Sequence, residues 1–295
     1  MKVLVTGSAG RVGRAIYINL AHTYQVVGLD STPCSTADFI GDIRDEALLQ
    51  QALEGVDVVV HTAALHAPHI GHMSDEMFHD VNVLATIKLA ELAIAYGVKQ
   101  FVFTSTTALY GHASTPNGRV GWVTEQTKPL PKTIYHHTKI EAEKALRAIS
   151  NEFAFAVTVL QMSRCFPEPV EQMALYRLNR GIDYRDVASA HRSAIEKALP
   201  GFNRFIISGK TPFDLSCCEQ LFYDCEAVLR ARSPKLVALF KQRGWSLPQT
   251  LDRVYDSAKA QSELGWTPQY GFESVIDLYD DGFSEVLPSK NKSSS

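Results

Sequence analysis

The chain has 295 residues, with 29 Lys and Arg against 32 Asp and Glu, 45% apolar residues and a formal net charge of −3. That is enough chain for one large domain or two smaller ones to bury a core without disulfide or metal staples. The balanced charge excludes a nucleic-acid binder that works by charge alone, and no apolar run approaches the ~18 residues of a membrane span.

Lys2 to Thr6 reads as a buried strand, Arg11 to Ala21 as a helix, Gln25 to Leu29 as a second strand and Glu46 to Leu53 as a helix. Val56 to His61 is a third strand, followed by a polar loop rich in histidine. Val83 to Tyr96 is a helix, Gln100 to Ser105 a strand, and Lys139 to Ile149 continues a helix that begins near Thr133. Phe155 to Met162 is another strand, Val187 to Ala198 a helix and Arg204 to Ser208 a strand. Short β-branched runs separated by helices predict an α/β fold, a doubly wound parallel sheet covered on both faces and joined by right-handed crossovers. From Thr211 onward the pattern is mostly helical and predicts a small lobe closing over the cleft. Leu287 to Ser295 ends in Pro-Ser-Lys-Asn-Lys-Ser-Ser-Ser, a composition that buries nothing and predicts a disordered tail. The start, Met1 to Gly7, breaks into glycine too early for a signal peptide. The five cysteines are odd in number with no metal-type spacing, so reduced thiols in a cytoplasmic protein are expected.

Thr6-Gly7-Ser8-Ala9-Gly10-Arg11-Val12-Gly13 sits between the first strand and the first helix. Gly7 allows a sharp turn, Gly10 clears space for a pyrophosphate, and Gly13 lets the helix pack close to the sheet. The helix N-terminus then offers free N–H groups to the anion. Asp30 follows 17 residues after Gly13 at the end of the second strand, where a carboxylate binds an adenosine 2′-hydroxyl and repels a 2′-phosphate. The expected cofactor is therefore NAD rather than NADP, although the Arg11 guanidinium could contact either phosphate.

Tyr135 and Lys139 stand at i and i+4 and share one helix face. Tyr255 and Lys259 have the same spacing, but they lie beyond the last expected sheet strand and read as structural. A phenol working as a base near neutrality must ionise about a thousandfold more readily than in water, about 4 kcal/mol. An ammonium about 4.5 Å away at an effective dielectric of ~20 supplies roughly 3.7 kcal/mol, and the positive nicotinamide ring adds the same sign, so Lys139 with oxidised cofactor could make Tyr135 a usable base. Tyr135 and Lys139 are also expected to touch the cofactor, Lys139 at the nicotinamide ribose. Thr104-Ser105-Thr106-Thr107 leaves a strand at its carboxyl end, where ligands bind in such sheets. Thr106 is the first choice to hold a substrate hydroxyl, with Ser105 in reserve.

His66, His69, His72 and His79 follow the third strand, and three readings stay open: a substrate-lining loop, a solvated loop or a metal site. No metal is the expectation. Arg164, Arg177 and Arg180 could meet a substrate carboxylate or phosphate, or be surface charge paired with Glu168 and Glu171.

With these pieces in place, the sequence resembles the extended short-chain dehydrogenase/reductase family, also called the NAD-dependent epimerase/dehydratase family. The matching segments are Thr6 to Gly13, Asp30, Gly41-Asp42-Ile43, Val60-His61-Thr62-Ala63-Ala64, Asn82, Thr104 to Gly111, Tyr135 to Lys139 and Leu264-Gly265-Trp266-Thr267-Pro268, in family order. The resemblance implies that Asp42 and Ile43 contact adenine, that Ala63 and Ala64 line the cofactor, and that Thr106, Tyr135 and Lys139 are catalytic. It implies that Asn82 helps hold the strand ends near the cofactor. It implies a homodimer through the helices near Val83–Tyr96 and Thr133–Ile149. The expected organisation is a dinucleotide-binding domain of residues 1–165 and about 186–210, a substrate lobe of about 166–185 and 211–287, and a disordered tail of residues 288–295. Arg164 stands where nucleotide-sugar enzymes usually carry asparagine, and only 16 residues separate Pro169 from Asp186. That short form, with Cys165-Phe166-Pro167-Glu168-Pro169, is similar to that of uronate dehydrogenases, whereas Leu264 to Pro268 is closer to the epimerase branch.

The expected activity is an NAD-dependent oxidoreductase taking hydride from a secondary alcohol of a sugar or sugar-acid-like small molecule. The alternative is an NAD-retaining (nucleotide-)sugar 4-epimerase or dehydratase. Thr106 and Ser105, with His66, Arg164 and Arg177, are the expected substrate contacts.

Overall fold

The computed structural model describes residues 1–290. The chain runs β1 (Lys2–Thr6), α1 (Arg11–Ala21), β2 (Gln25–Asp30), β3 (Phe39–Ile40), α2 (Glu46–Leu53), β4 (Val58–His61), α3 (Asp75–His79), α4 (Ala85–Ala95), β5 (Gln100–Thr106), β6 (Gly121–Val123), α5 (Ile134–Phe153) and β7 (Ala156–Met162). It continues through α6 (Val170–Asn179), α7 (Tyr184–Lys197), β8 (Phe202–Ile207), α8 (Gln220–Tyr223), α9 (Cys225–Arg232), α10 (Pro234–Gln242), β9 (Arg253–Tyr255), α11 (Ala258–Leu264) and α12 (Phe272–Asp280). Seven strands form one sheet in the order β3-β2-β1-β4-β5-β7-β8. Every pairing in it is parallel, as the sequence predicted.

Alternation along the strands feeds two cores. Leu4, Val59, Phe101 and Phe103 pack toward α2, α4 and α5, against Leu49, Leu89, Ala142 and Leu146. Val3, Val5, Val58 and Val60 pack on the other face against Ile16 and Leu20 of α1, Val187 and Ile195 of α7, and Trp266. Chain order reverses between β1 and β4, so a crevice opens at the carboxyl ends of these strands. A further core joins Met173 and Leu178 of α6 with residues of α8, α9, α10 and α12, including Leu221, Leu229, Phe240 and Val275. Cys217, Cys218 and Cys225 are buried in it, and all five thiols are free.

The helix expected from Val83 begins earlier. α3 leads into a π turn over Asp80–Leu84, which passes into α4. Three short strands escaped the periodicity reading, because two or three residues are too few to show a period. Two of them, β6 and β9, pair with each other in parallel, which places Tyr255 on a strand rather than on a helix with Lys259. At the C-terminal end, the Lys290 amide donates to the Glu171 carboxylate at 3.0 Å. The rest of the expected tail, residues 291–295, lies outside the described residues. Among those described, no helix is long and apolar enough to cross a membrane.

Candidate active site

A cleft of about 820 Å3 runs along the carboxyl ends of the strands, from Asp30 and Asp42 at one end to Arg164, Arg180 and Arg253. Gly7, Gly10, Arg11, Val12, Gly13, Ile43, Ala63 and Ala64 line it. The glycine loop divides its labour. A Cβ on Gly7, which has φ +71°, would lie 2.7 Å from Ala63 N, and one on Gly13 would lie 2.0 Å from Gly7 O. Those two glycines are required by the chain itself. A Cβ on Gly10 would meet only Gly7 O at 3.3 Å and otherwise point into open space. Gly10 also caps α1 with no side-chain bond and no acidic residue in the first turn. A cradle left bare in this way fits the pyrophosphate of a dinucleotide.

Asp30 holds this end together. Its carboxylate accepts from Ala9 N at 2.9 Å and Thr32 N at 2.8 Å, while facing the cleft. Asp42 accepts two bonds from the Arg44 guanidinium, at 2.9 and 2.6 Å, and these pull its carboxyl below the usual range. Arg11 is ion-paired with Glu285 and lies 5.1 Å over the Tyr184 ring. With Asp30 replaced by Ala, selectivity for NAD over NADP should narrow. Calorimetric titration of both dinucleotides checks this, and unchanged selectivity would show that Asp30 does not read the ribose.

β5 and α5 carry the proposed reacting groups. Thr106 ends β5, its hydroxyl accepting from Ala108 N at 3.1 Å. Tyr135 and Lys139 both line the cleft from the first turns of α5. The Lys139 ammonium donates to Thr104 O at 2.9 Å and sits 4.4 Å from the Phe103 ring centroid. Asn82, in the π turn, ties the loop after β4 to this helix. Its Oδ1 accepts from Leu65 N at 2.8 Å, and its Nδ2 donates to Leu65 O at 2.9 Å and Thr138 Oγ1 at 3.1 Å.

Enclosure sets the electrostatics of this pair. Burial pushes the Tyr135 phenol up to about 12, with only the neighbouring Thr106 hydroxyl pulling it down. Burial also pushes Lys139 down to about 7, opposed by the Glu143 carboxylate. The Lys139 charge alone does not offset the effect of burial on the phenol. Acidifying the phenol needs a further positive charge in the cleft.

Two histidines behind the site are held neutral. His61 sits 2.7 Å from Thr6 Oγ1 and 2.9 Å from Thr86 Oγ1, and burial lowers it to about 3. His191 bonds Val187 O and Thr104 Oγ1, both at 2.8 Å, and burial lowers it to about 4. Unfolded histidines take up protons near 6.5, above both values. Their neutral packing therefore contributes full stability above that pH, lost as pH falls toward 4 and then 3. The thermal midpoint should drop on acidification from pH 7 to 4.5, and a flat midpoint would contradict this.

The far end corrects two expectations. Arg177 is buried on α6 and ion-paired with Asp183 at 3.0 Å, so it does not reach the cleft. Its helix face turns it inward, and Asp183 caps α7 beside it. Ser105 borders the cleft, but its hydroxyl donates to Glu143 on the opposite side of the strand from Thr104 and Thr106, at 2.5 Å. Its proton is thus committed to Glu143. Arg164 does line the cleft, ion-paired with Glu168 and 5.3 Å from the Phe166 ring, and His66 stacks on the same ring at 5.9 Å. Arg180 and Arg253 share one oxygen of Asp252, at 2.6 and 2.7 Å. Tyr255 also faces the cleft, its hydroxyl donating to Thr107 O at 3.3 Å, while Lys259 turns away to Arg204 O at 2.9 Å. Sequence spacing gave no signal for Arg253, and it set Tyr255 aside as structural, because β9 is too short to recognise. Among the described residues the histidines after β4 gather into no metal-binding cluster.

A glycine turn bare of side chains, the Asp30 carboxylate and the set of Thr106, Tyr135 and Lys139 now border one cleft. A model of the NAD dependent epimerase/dehydratase family matches residues 3–173. The chain belongs to that family. It is an NAD-dependent enzyme of the extended short-chain dehydrogenase type. The UDP-glucose 4-epimerase of Corynebacterium glutamicum is 28% identical over 92% of this chain and 92% of its own length. The L-arabinose 1-dehydrogenase (NAD(P)(+)) of Haloferax volcanii is 28% identical over 68% of this chain and 84% of its own length. The structure of the Thermus thermophilus UDP-glucose 4-epimerase in complex with NAD superposes with a TM-score of 0.70 at 24% identity, covering 95% of this chain and 98% of that one.

Proposed function

We propose that this enzyme oxidises a secondary hydroxyl of a sugar and returns the hydride, acting as an NAD-retaining 4-epimerase of a (nucleotide-)sugar. The observation that carries the reading is the placement of Thr106, Tyr135 and Lys139 on the wall of the dinucleotide cleft. Likeness to UDP-glucose 4-epimerases over nearly the whole chain supports it. Bound NAD supplies the hydride acceptor and a positive ring. Thr106 positions the substrate oxygen, Tyr135 takes its proton and later gives it back, and Lys139 holds positive charge beside the phenol. Gly7, Gly10, Arg11, Val12 and Gly13 hold the phosphates, Asp30 the ribose, Asp42 and Ile43 the adenine, and Ala63 and Ala64 line the cofactor. Elimination of water is the less favoured branch, because the two carboxylates lining the cleft, Asp30 and Asp42, both stand at the adenosine end. Arg164 and His66 serve the substrate end, where three arginines suit an anionic group.

One observation favours a second reading, net oxidation. The short connection from Arg164 to Asp186 is taken up by α6 and by the β-bridge of Arg164 to Gly181, leaving little chain to enclose a nucleotide. UDP-glucose, UDP-galactose, free sugars and uronic acids incubated with enzyme and NAD separate the two. Epimer formation without net absorbance at the NADH band supports the epimerase, and NADH formed in proportion to sugar consumed supports the dehydrogenase.

The free thiols suit the reducing cytoplasm. Exposed Leu84 and Phe153 at the ends of α4 and α5 suit a homodimer through these helices, which sedimentation equilibrium tests.

A further inference from the structure

Behind the reacting groups lies a carboxylate that touches neither the cleft nor solvent. Glu143 continues the Tyr135–Lys139 stripe of α5 by one more turn and is 6% exposed. Its Oε1 accepts the Ser105 hydroxyl at 2.5 Å, and Gln161 Nε2 reaches its two oxygens at 2.9 and 3.0 Å. Gln161 is the register partner of Ser105 on β7, and its own Oε1 accepts the buried Tyr110 hydroxyl at 2.7 Å. Arg204, from β8, approaches Glu143 at 3.6 Å and is anchored by a bond to Glu125 O at 2.6 Å.

Two consecutive residues of β5 are therefore tied to two consecutive turns of α5. Thr104 offers its carbonyl to Lys139, and Ser105 offers its hydroxyl to Glu143. The next residue is Thr106. A buried carboxylate costs several kcal/mol unless it is paired and hydrogen-bonded. An apolar side chain would close this helix–strand contact at lower cost. What a carboxylate adds is negative charge one helical turn from a buried ammonium, together with a fixed strand end.

We propose that Glu143 is a positioning residue, which keeps Lys139 protonated and sets the end of β5 so that Thr106 meets Tyr135. This rests on Lys139 holding positive charge beside the phenol in the proposed reaction. The titratable and charged groups facing the pair are Tyr135 on α5, His61 at the end of β4, His66 in the loop after it, Tyr110 after β5 and Arg204 on β8. His61 is neutral near pH 7, and the Glu143 carboxyl, raised by burial but lowered by the Ser105 and Gln161 donors and by Arg204, is the acidic group facing Lys139.

The test uses full-length protein with 13C-labelled lysine and glutamate, the Lys139 signal being assigned by its loss in Lys139→Met. Glu143→Gln preserves shape and removes charge. The Lys139 titration midpoint should fall by half a pH unit or more, and Glu143→Asp should restore most of the shift. An unmoved midpoint in Glu143→Gln overturns the proposal, even if the variant is less stable. Where that variant does not fold, the wild-type protein decides: the Glu143 carboxyl carbon must be ionised at pH 7, and a protonated carboxyl overturns the proposal. These resonances need no substrate, so they stand apart from failure of the proposed reaction. With turnover in hand, Glu143→Gln should lower kcat at least tenfold at little change in KM, and shift the alkaline limb of the pH profile downward. An unchanged kcat and an unchanged limb count against it.

Discussion

Tyr135→Phe will lower turnover about 10²–10⁴-fold, the range ascribed to a positioned general acid–base group. Fold and NAD affinity should persist, because the change removes one oxygen at the cleft wall and the ring can remain in place. The size of the loss follows from the site's electrostatics. Enclosure holds Tyr135 near 12 and Lys139 near 7 before any ligand enters. The residue becomes a useful base only when positive charge joins it in the cleft, so chemistry is coupled to cofactor binding. Steady-state rates beside a calorimetric titration of NAD check this. A Tyr135→Phe enzyme within a few-fold of wild type would remove the tyrosine from the chemistry.

Gly13→Ala will cost both stability and cofactor binding. Its Cβ would lie 2.0 Å from Gly7 O and 2.9 Å from Thr62 Oγ1, with backbone that cannot yield. Overpacking of this kind costs about 1–3 kcal/mol in stability. The α1 terminus must also move away from the sheet, so NAD affinity should fall at least tenfold. Gly10→Ala is the contrasting case. Its Cβ meets only the 3.3 Å contact, so the thermal midpoint should change little while NAD binding weakens. Thermal melts and NAD titrations of both variants check the pair. Equal stability losses would show that Gly10, too, is there for the chain.

The parallel sheet was legible because its strands are unbroken apolar runs, such as Val3 to Val5 and Phe101 to Phe103, and the helices between them keep a steady period. Thr106, Tyr135 and Lys139 could be read from chain order, since each follows a strand whose carboxyl end must face the crevice. The charge state of that set could not. It depends on enclosure, which spacing does not report: burial pushes Tyr135 up and Lys139 down, so the expected acidification rests on the nicotinamide charge as well as on Lys139. Arg177 was misassigned because one turn of α6 separates an inward guanidinium from an outward one. Glu143 repeated the helical stripe and could have been noticed, but its partners Gln161 and Arg204 come from strands distant in sequence. Arg253 and Tyr255 reach the cleft through a three-residue strand that no periodicity reveals.

The most direct test follows the hydride. NAD-loaded enzyme is mixed with sugars carrying deuterium at the reacting carbon, quenched within one turnover, and the cofactor is analysed by mass spectrometry. Hydride transfer with Tyr135 as the base predicts deuterium in the reduced nicotinamide ring of the wild-type enzyme, depleted at least a hundredfold in Tyr135→Phe. Product that forms without label ever entering the cofactor, or label transfer that survives loss of the phenol, would contradict it.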